Sequence, residues 1–290
     1  MIKIITDSAA DIPRAEAEHY NIDVLAIPIT LNGKTYMEGE DFDSPAFYKL
    51  LHTAKELPTT AQVTALRYYD AFSRAVREGA RHIVCVTITS KGSGMYDAAR
   101  VAKGFIFDEQ PALRETVTID VVDSGSYTYD YGHAVVDMAK GACQGKSLED
   151  VLAIFRRRRE TYQTYFGLTN LDYAKKSGRI TSAAAFVGEV MGFRPIMTLH
   201  NGGTDTIGKV RGDQKLLTAL LQLFQDRYSH DGRGFYILYS ENKAMGVSLR
   251  KAIEKETGVK CAGEYYIGAS VTINAGPTVF GVTIPVDQVK

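Results

Sequence analysis

One segment, a strand that runs through a small-residue turn into a helix, constrains the fold of this chain most. Residues 82–88 read His-Ile-Val-Cys-Val-Thr-Ile, and this apolar, β-branched run predicts a strand buried on both faces. Residues 90–94 are Ser-Lys-Gly-Ser-Gly, and a helix pattern begins at residue 94. Such a turn places backbone N–H groups and the positive end of a helix at the carboxyl edge of a sheet. We therefore expect a small anionic ligand there.

The first half of the chain alternates between strand and helix patterns. Strands are predicted at residues 2–6, 23–31, 82–89 and 117–123, and helices near residues 44–54, 64–79, 94–107 and 126–143. This alternation predicts an α/β fold with a parallel sheet and helices on both of its faces. A further helix is predicted at residues 147–163, where we expect the connection between two domains.

The second half has a different pattern, in which strands predominate. Strands are predicted at residues 165–169, 194–200, 205–211, 234–239, 260–265, 269–274 and 279–285, and helices at residues 213–227 and 242–256. Asn201-Gly202-Gly203 is typical of a hairpin turn. These patterns predict an α+β domain with a mixed or antiparallel sheet. We place the N-terminal α/β domain at residues 1–159 and the C-terminal α+β domain at residues 160–290.

Composition limits the classes of function. The 290 residues contain 34 Lys and Arg against 34 Asp and Glu, and this balance argues against nucleic acid as the main partner. No apolar run approaches the roughly 18–20 residues of a membrane span, and residues 2–6 favour a first strand over a signal peptide. Cys85, Cys143 and Cys261 lie far apart, which is typical of free thiols in a reducing cytoplasm.

Hydroxyl groups near strand ends are the first candidates for binding the anion. Ser93 either donates its hydroxyl to the ligand or caps the following helix, and the spacing favours neither reading. Ser90 and Gly94 flank it in the same turn. Asp7-Ser8 and Asp123-Ser124 follow other parallel strands and converge on the same edge, although either pair alone is more typical of a cap or turn.

Four further positions are candidate ligand-binding residues, and each also has a simpler structural explanation. Thr60 precedes a helix, where a capping role is the simpler reading. Arg179 and Arg211 can each bind a carboxylate through the planar guanidinium, but most arginines are surface charges. Asn274 lies in a segment that favours a plain hairpin turn. The six histidines show no metal-ligand spacing, so neither a metal nor another cofactor is predicted.

In order and spacing, several short motifs resemble those of the DegV family of fatty-acid-binding proteins over essentially the whole chain. The motifs are Thr6-Asp7-Ser8-Ala-Ala-Asp11-Ile12-Pro13, Pro58 to Thr64, Ser90 to Tyr96, Asp123-Ser124, Leu171 to Ile180, Arg194-Pro195-Ile196, Val210-Arg211 and Asn274-Ala-Gly276-Pro277. Three places depart from the family pattern: Lys91-Gly92 replaces Gly-Leu, Ala61 and Val63 replace Ser and Pro, and Asn274 replaces His. We expect this member to differ from its relatives mainly at Lys91-Gly92.

The resemblance implies two α/β domains and a long-chain fatty acid whose carboxylate lies at Thr60 and Ser93. It implies that Arg179 and Arg211 line the head-group side or a docking surface. It further implies that the protein is a binding subunit, which presents the acyl chain to a separate ATP-using fatty acid kinase. That kinase makes an acyl phosphate for phospholipid synthesis. The apolar channel would draw on Ile29, Phe166, Phe186, Val187, Met191 and Ile196, which read equally well as core.

A small-molecule enzyme of the α/β class, either a serine hydrolase or a phosphate-handling enzyme, is the alternative. A serine hydrolase requires a Ser-His-acid arrangement, and no histidine here lies in a recognisable signature. A nucleophile elbow requires Gly-x-Ser-x-Gly, whereas residue 91 is Lys. A pure interaction module fits less well, because several polar turns converge where a ligand would bind.

Overall fold

The computed structural model describes residues 1–178, 180 and 192–289. Within them the strands are β1 (Ile2–Asp7), β2 (Ile22–Leu25), β3 (Pro28–Leu31), β4 (Lys34–Met37), β5 (Thr59–Thr60), β6 (His82–Thr87), β7 (Thr118–Asp123), β8 (Tyr162–Gly167), β9 (Phe193–His200), β10 (Gly203–Arg211), β11 (Phe235–Tyr239), β12 (Cys261–Tyr266) and β13 (Phe280–Pro285). The α-helices are α1 (Arg14–His19), α2 (Ser44–Leu51), α3 (Ala65–Arg77), α4 (Met95–Glu109), α5 (Tyr129–Cys143), α6 (Leu148–Thr161), α7 (Asp172–Ser177), α8 (Asp213–Arg227), α9 (Lys243–Thr257) and α10 (Ala269–Ala275).

The N-terminal half is built on a four-stranded parallel sheet in the order β2-β1-β6-β7. Its two central strands, β1 and β6, are buried on both faces, as their largely apolar sequences require. Ile4 of β1 pairs in register with Ile22 of β2 and with Val84 of β6. Helices α3, α4 and α5 contribute side chains to the same core. The predicted parallel sheet flanked by helices is therefore confirmed.

The C-terminal half forms a six-stranded mixed sheet in the order β10-β9-β8-β13-β11-β12. Only the β11–β12 pair is parallel among these strands. Leu216, Leu220 and Phe224 on α8 are buried against this sheet at helical spacing. The predicted C-terminal domain with a mixed sheet is confirmed, and Asn201-Gly202 forms the turn between β9 and β10.

A small third sheet joins the two halves. Strands β4, β3 and β5 pair antiparallel, and their buried side chains cluster with Phe47 of α2 and Ile273 of α10. The Tyr48 hydroxyl of α2 donates a hydrogen bond of 2.6 Å to the carbonyl of Ile267. A hydrophobic cluster shared by both halves fixes α10 next to the carboxyl edge of the parallel sheet.

Two of the predicted strands differ from the structure. Residues 269–274 form helix α10 and not a strand, so that prediction was wrong. Val271, Thr272 and Ile273 carry β-branched side chains, which favour strands, but packing against the third sheet overrides this preference. Residues 23–31 divide into β2 and β3 and belong to different sheets. None of the helices in the described part of the chain combines the length and apolar character of a membrane crossing.

Candidate functional site

A cavity of about 240 Å³ lies between the N-terminal half, α10 and the C-terminal sheet. Its polar wall carries hydroxyl, amide and glycine positions: Thr60, Gln62, Ser93, Gly94 and Asn274. Its apolar wall comes from one hydrophobic cluster that includes Phe166, Leu199, Leu238, Ile267 and Val279. Among the described lining residues none is charged. The cavity therefore offers a long apolar surface beside a small group of neutral hydrogen-bonding side chains.

Ser93 lies in the turn that leads from β6 into α4. The N–H groups of Gly92 and Ser93 both donate to the Thr89 carbonyl, over 3.0 and 3.2 Å. Gly94 occupies the N-cap position of α4, where no side chain caps the helix. Within the described residues, the half-buried Ser93 hydroxyl has no hydrogen-bonding partner. Of the two readings of Ser93, the capping bond is not formed, and the hydroxyl is available to a ligand.

Two aspartates at the ends of parallel strands hold this turn in place. The Ile88 N–H donates to Asp7 Oδ2 over 2.8 Å, and the Ser90 N–H donates to Asp123 Oδ1 over 3.1 Å. Tyr131 donates its hydroxyl to Asp7 Oδ1 over 2.8 Å. Burial raises the pKa of Asp7 to about 6, against the opposing effect of these hydrogen bonds. The two carboxylates thus orient the backbone of the turn instead of facing the cavity.

Helix α10 provides Asn274 from the other side. Asn274 Nδ2 donates to the Ser270 carbonyl over 2.8 Å, which fixes the amide along the helix. The first turn of α10 rests on two acids from the N-terminal half. Gly268 N–H donates to Asp11 Oδ1, and Ser270 N–H donates to Glu38 Oε1, each over 2.9 Å. Burial raises the pKa of both carboxyl groups.

Four of the predicted site residues line the cavity together: Thr60, Ser93, Gly94 and Asn274. Ser90 is exposed at the outer side of the turn. Ser124 is buried outside the lining, where its hydroxyl donates to the Ser126 carbonyl over 3.1 Å. Arg211 is exposed at the far end of β10, and its seven-residue separation from Thr204 corresponds to roughly 20 Å along the strand. Arg179 lies outside the described residues.

The predicted apolar channel overlaps the cavity only in part. Phe166 lines it, whereas the buried Ile29 and Ile196 belong to other clusters. Phe186, Val187 and Met191 lie outside the described residues.

Other polar lining residues were not predicted as ligands, among them Gln62, Tyr127 and Thr204. The Gln62 amide lies against Gly94, so closely that a Cβ atom added to Gly94 would collide with Gln62 Oε1. Gln62 was visible in the Pro58 to Thr64 motif. Tyr127 and Thr204 come from a loop and a hairpin, where sequence offers no comparable signal. Within residues 1–178, 180 and 192–289, no group of three His, Cys, Asp or Glu side chains could hold a metal ion.

Comparison with known proteins places these features in a family. The model of the DegV family, described as uncharacterised proteins, matches residues 1–286. A DegV domain-containing protein from Clostridium perfringens is 32% identical over 231 residues, 80% of each chain. The structure of a fatty-acid-binding DegV family protein from Thermus thermophilus is 26% identical, with a TM-score of 0.84 over 97% of this chain and 98% of that one. A stearic-acid-binding protein from Eubacterium ventriosum is 25% identical, with a TM-score of 0.88 over 99% and 98%.

Proposed function

The chain belongs to the DegV family, and from this premise we propose that it binds a long-chain fatty acid in the cavity between its two halves. The acyl chain lies along the apolar wall, and the carboxylate lies at Thr60 and Ser93, next to Gly94 and Asn274. The observation that carries the proposal is the unpartnered Ser93 hydroxyl beside a continuous apolar wall, judged within the described residues.

The apolar and polar walls of the cavity meet the two free-energy requirements of binding a fatty acid. Each buried methylene contributes roughly 0.8 kcal/mol before the costs of ordering the chain. Desolvating the carboxylate costs several kcal/mol unless hydrogen-bond donors replace water. Hydroxyl groups and N–H groups near the start of α4 supply such donors, and the positive helix end adds a favourable field. A neutral donor set therefore suffices for a single negative charge.

In this proposal the protein acts as a binding subunit and not as an enzyme by itself. It presents the fatty acid carboxylate to a separate ATP-using fatty acid kinase in the cytoplasm, and the resulting acyl phosphate serves phospholipid synthesis. The polar wall supports this role, because a carboxylate held by hydroxyl groups at a turn stays near the surface. Ser93 is half-buried, and Gly94 is exposed.

The alternative, a serine hydrolase, gains no support from the site. The described lining of the cavity contains neither a histidine nor a carboxylate. A Ser-His pair of the kind that activates a serine nucleophile is therefore not formed by the described residues around Ser93.

The proposal is tested by native mass spectrometry and by one substitution. Freshly purified protein should carry co-purified long-chain fatty acid. After delipidation, Ser93→Ala should weaken palmitate binding about tenfold in calorimetry, because the charged carboxylate loses a hydrogen bond. Ser90→Ala is the matched control, since Ser90 lies in the same turn but outside the cavity wall. Equal palmitate affinity in Ser93→Ala and wild type would remove Ser93 from the site.

A further inference from the structure

A second, polar cavity of about 560 Å³ adjoins the first. Tyr127 and Thr204 line both cavities, so the second begins at the edge of the first. Its remaining wall includes Lys91, His200 and Asp205. Lys91 and Gly92 are consecutive in the chain, and they line the second and the first cavity respectively. A group attached to the fatty acid carboxyl at Ser93 would therefore extend toward Lys91.

The second cavity offers an anion one cationic side chain, that of Lys91. Lys91 forms no ion pair with any of the described residues. Asp205 is the acidic side chain of the described wall, and its Oδ2 lies 3.0 Å from His200 Nδ1 in a hydrogen bond. Lys91 is thus the charged side chain of the described wall whose charged group has no hydrogen-bonded partner among the described residues, whereas Asp205 is bonded to His200.

The position of Lys91 is fixed by the hairpin between β9 and β10. Thr89 Oγ1 donates to the Gly202 carbonyl over 3.0 Å, and the Tyr127 hydroxyl donates to the same carbonyl over 3.4 Å. Gly202 also lies close to the aliphatic part of the Lys91 side chain: a Cβ atom added to Gly202 would be 3.4 Å from Lys91 Cδ. The turn that carries Lys91 therefore packs against the turn of the β9–β10 hairpin, and the aliphatic part of the Lys91 side chain lies beside Gly202.

We propose that this second cavity binds a phosphate group attached to the fatty acyl chain, with Lys91 as its cationic ligand. The inference rests on the proposed fatty-acid binding. A carboxylate with one charge needs only the neutral hydroxyl wall, whereas a phosphate with nearly two charges needs a cation. Lys91 therefore discriminates the acyl phosphate product from the fatty acid substrate.

The test compares three probes on delipidated protein by calorimetry: palmitate, hexadecyl phosphate as a stable acyl phosphate mimic, and inorganic phosphate. Wild type should bind palmitate and hexadecyl phosphate. Lys91→Ala should weaken hexadecyl phosphate binding about tenfold and palmitate binding less than twofold. Lys91→Arg should retain most of the hexadecyl phosphate affinity. Lys251→Ala, an exposed lysine on α9, is the matched control and should change neither.

The other outcomes separate this inference from the fatty-acid proposal. Unchanged hexadecyl phosphate affinity in Lys91→Ala overturns the inference and leaves fatty-acid binding intact. An equal loss for palmitate assigns Lys91 to the carboxylate site and also overturns it. If inorganic phosphate binds through Lys91 and hexadecyl phosphate does not bind, the cavity is a site for free phosphate and the inference is overturned. Failure of wild type to bind palmitate contradicts the proposed function itself.

Discussion

Ser93 and Ser124 both follow strands of the parallel sheet, yet the structure gives them different environments. Ser124 is buried and bonded to the Ser126 backbone, whereas Ser93 is half-buried and lines the cavity. The sequence could not separate the two, because the difference lies in the turns that follow. The turn after Ser93 starts α4 at once, whereas α5 begins only after Thr128, whose φ of 59° is unusual for a β-branched residue.

At the residue scale, His133 also leads to a prediction of how folding stability depends on pH. It is buried on α5 among Tyr129, Tyr162 and Tyr236, and its Nε2 has no partner in the described structure. Burial lowers its pKa from 6.5 to about 4, although Asp130 opposes the shift. The unfolded chain therefore binds more protons between pH 6.5 and 4, and His133 makes stability fall as the pH falls through this range.

His133→Phe should remove this loss of stability at low pH, because the Phe ring fills the space of the imidazole but does not bind a proton. Between pH 7 and pH 4, wild type should lose up to about 3 kcal/mol of unfolding free energy relative to the variant, as measured by urea denaturation at each pH. His19→Phe, at an exposed histidine, should follow the wild-type profile. A constant difference between wild type and His133→Phe across this range would show that His133 does not titrate as its burial requires.

At the scale of elements, the sequence predicted the turn at the edge of the sheet but not the helix that faces it. The β6-turn-α4 segment has a long apolar strand and a long helix, so its pattern is unambiguous. Helix α10 has seven residues, too few for a periodic pattern, and its β-branched side chains favour a strand. Its conformation depends on contacts with Asp11, Glu38 and the third sheet, which lie more than 200 residues away in the chain.

The β9–β10 hairpin yields a prediction with a close internal control. Gly202 and Gly33 occupy the same place in two Asn-Gly turns, with φ of 76° and 77°. An added Cβ at Gly202 would lie 2.5 Å from Thr89 Oγ1, whereas at Gly33 it would meet nothing within 4 Å. Both alanine variants carry backbone strain of about 1–2 kcal/mol, but only Gly202→Ala pushes the hairpin away from the turn.

Gly202→Ala should therefore lower the unfolding free energy by at least about 1 kcal/mol more than Gly33→Ala does. It should also weaken palmitate binding, because Thr204 and the Ser93 turn lose their relative position. Gly33→Ala should leave palmitate binding at the wild-type level. Equal stability and equal palmitate affinity in the two variants would show that the hairpin does not support the site.

At the scale of the whole molecule, the cavity exists because the two halves are held together by the third sheet and by polar contacts. Thr164 of β8 donates to the buried Asp130 of α5 over 2.5 Å. Burial alone would raise the pKa of Asp130, but the charges of Arg159 and His133 and the hydrogen bonds from Ser126 and Thr164 lower it. The division into domains 1–159 and 160–290 stays a prediction.

The sequence indicated the parallel and the mixed sheet but not the small third one, because strand and helix patterns are local whereas the pairing of short strands is not. It could not show that four predicted positions, Thr60, Ser93, Gly94 and Asn274, line one cavity while Ser90, Ser124 and Arg211 do not. That distinction depends on how the halves dock, and the docking is set by contacts between residues far apart in the chain.

A crystal structure of the delipidated protein recombined with palmitate tests the central claim most directly. We predict electron density for the carboxylate within hydrogen-bonding distance of Ser93 Oγ and Thr60 Oγ1, with the acyl chain along Phe166, Leu199 and Leu238. Palmitate bound with its carboxylate at the apolar wall, or bound outside this cavity, would contradict the account.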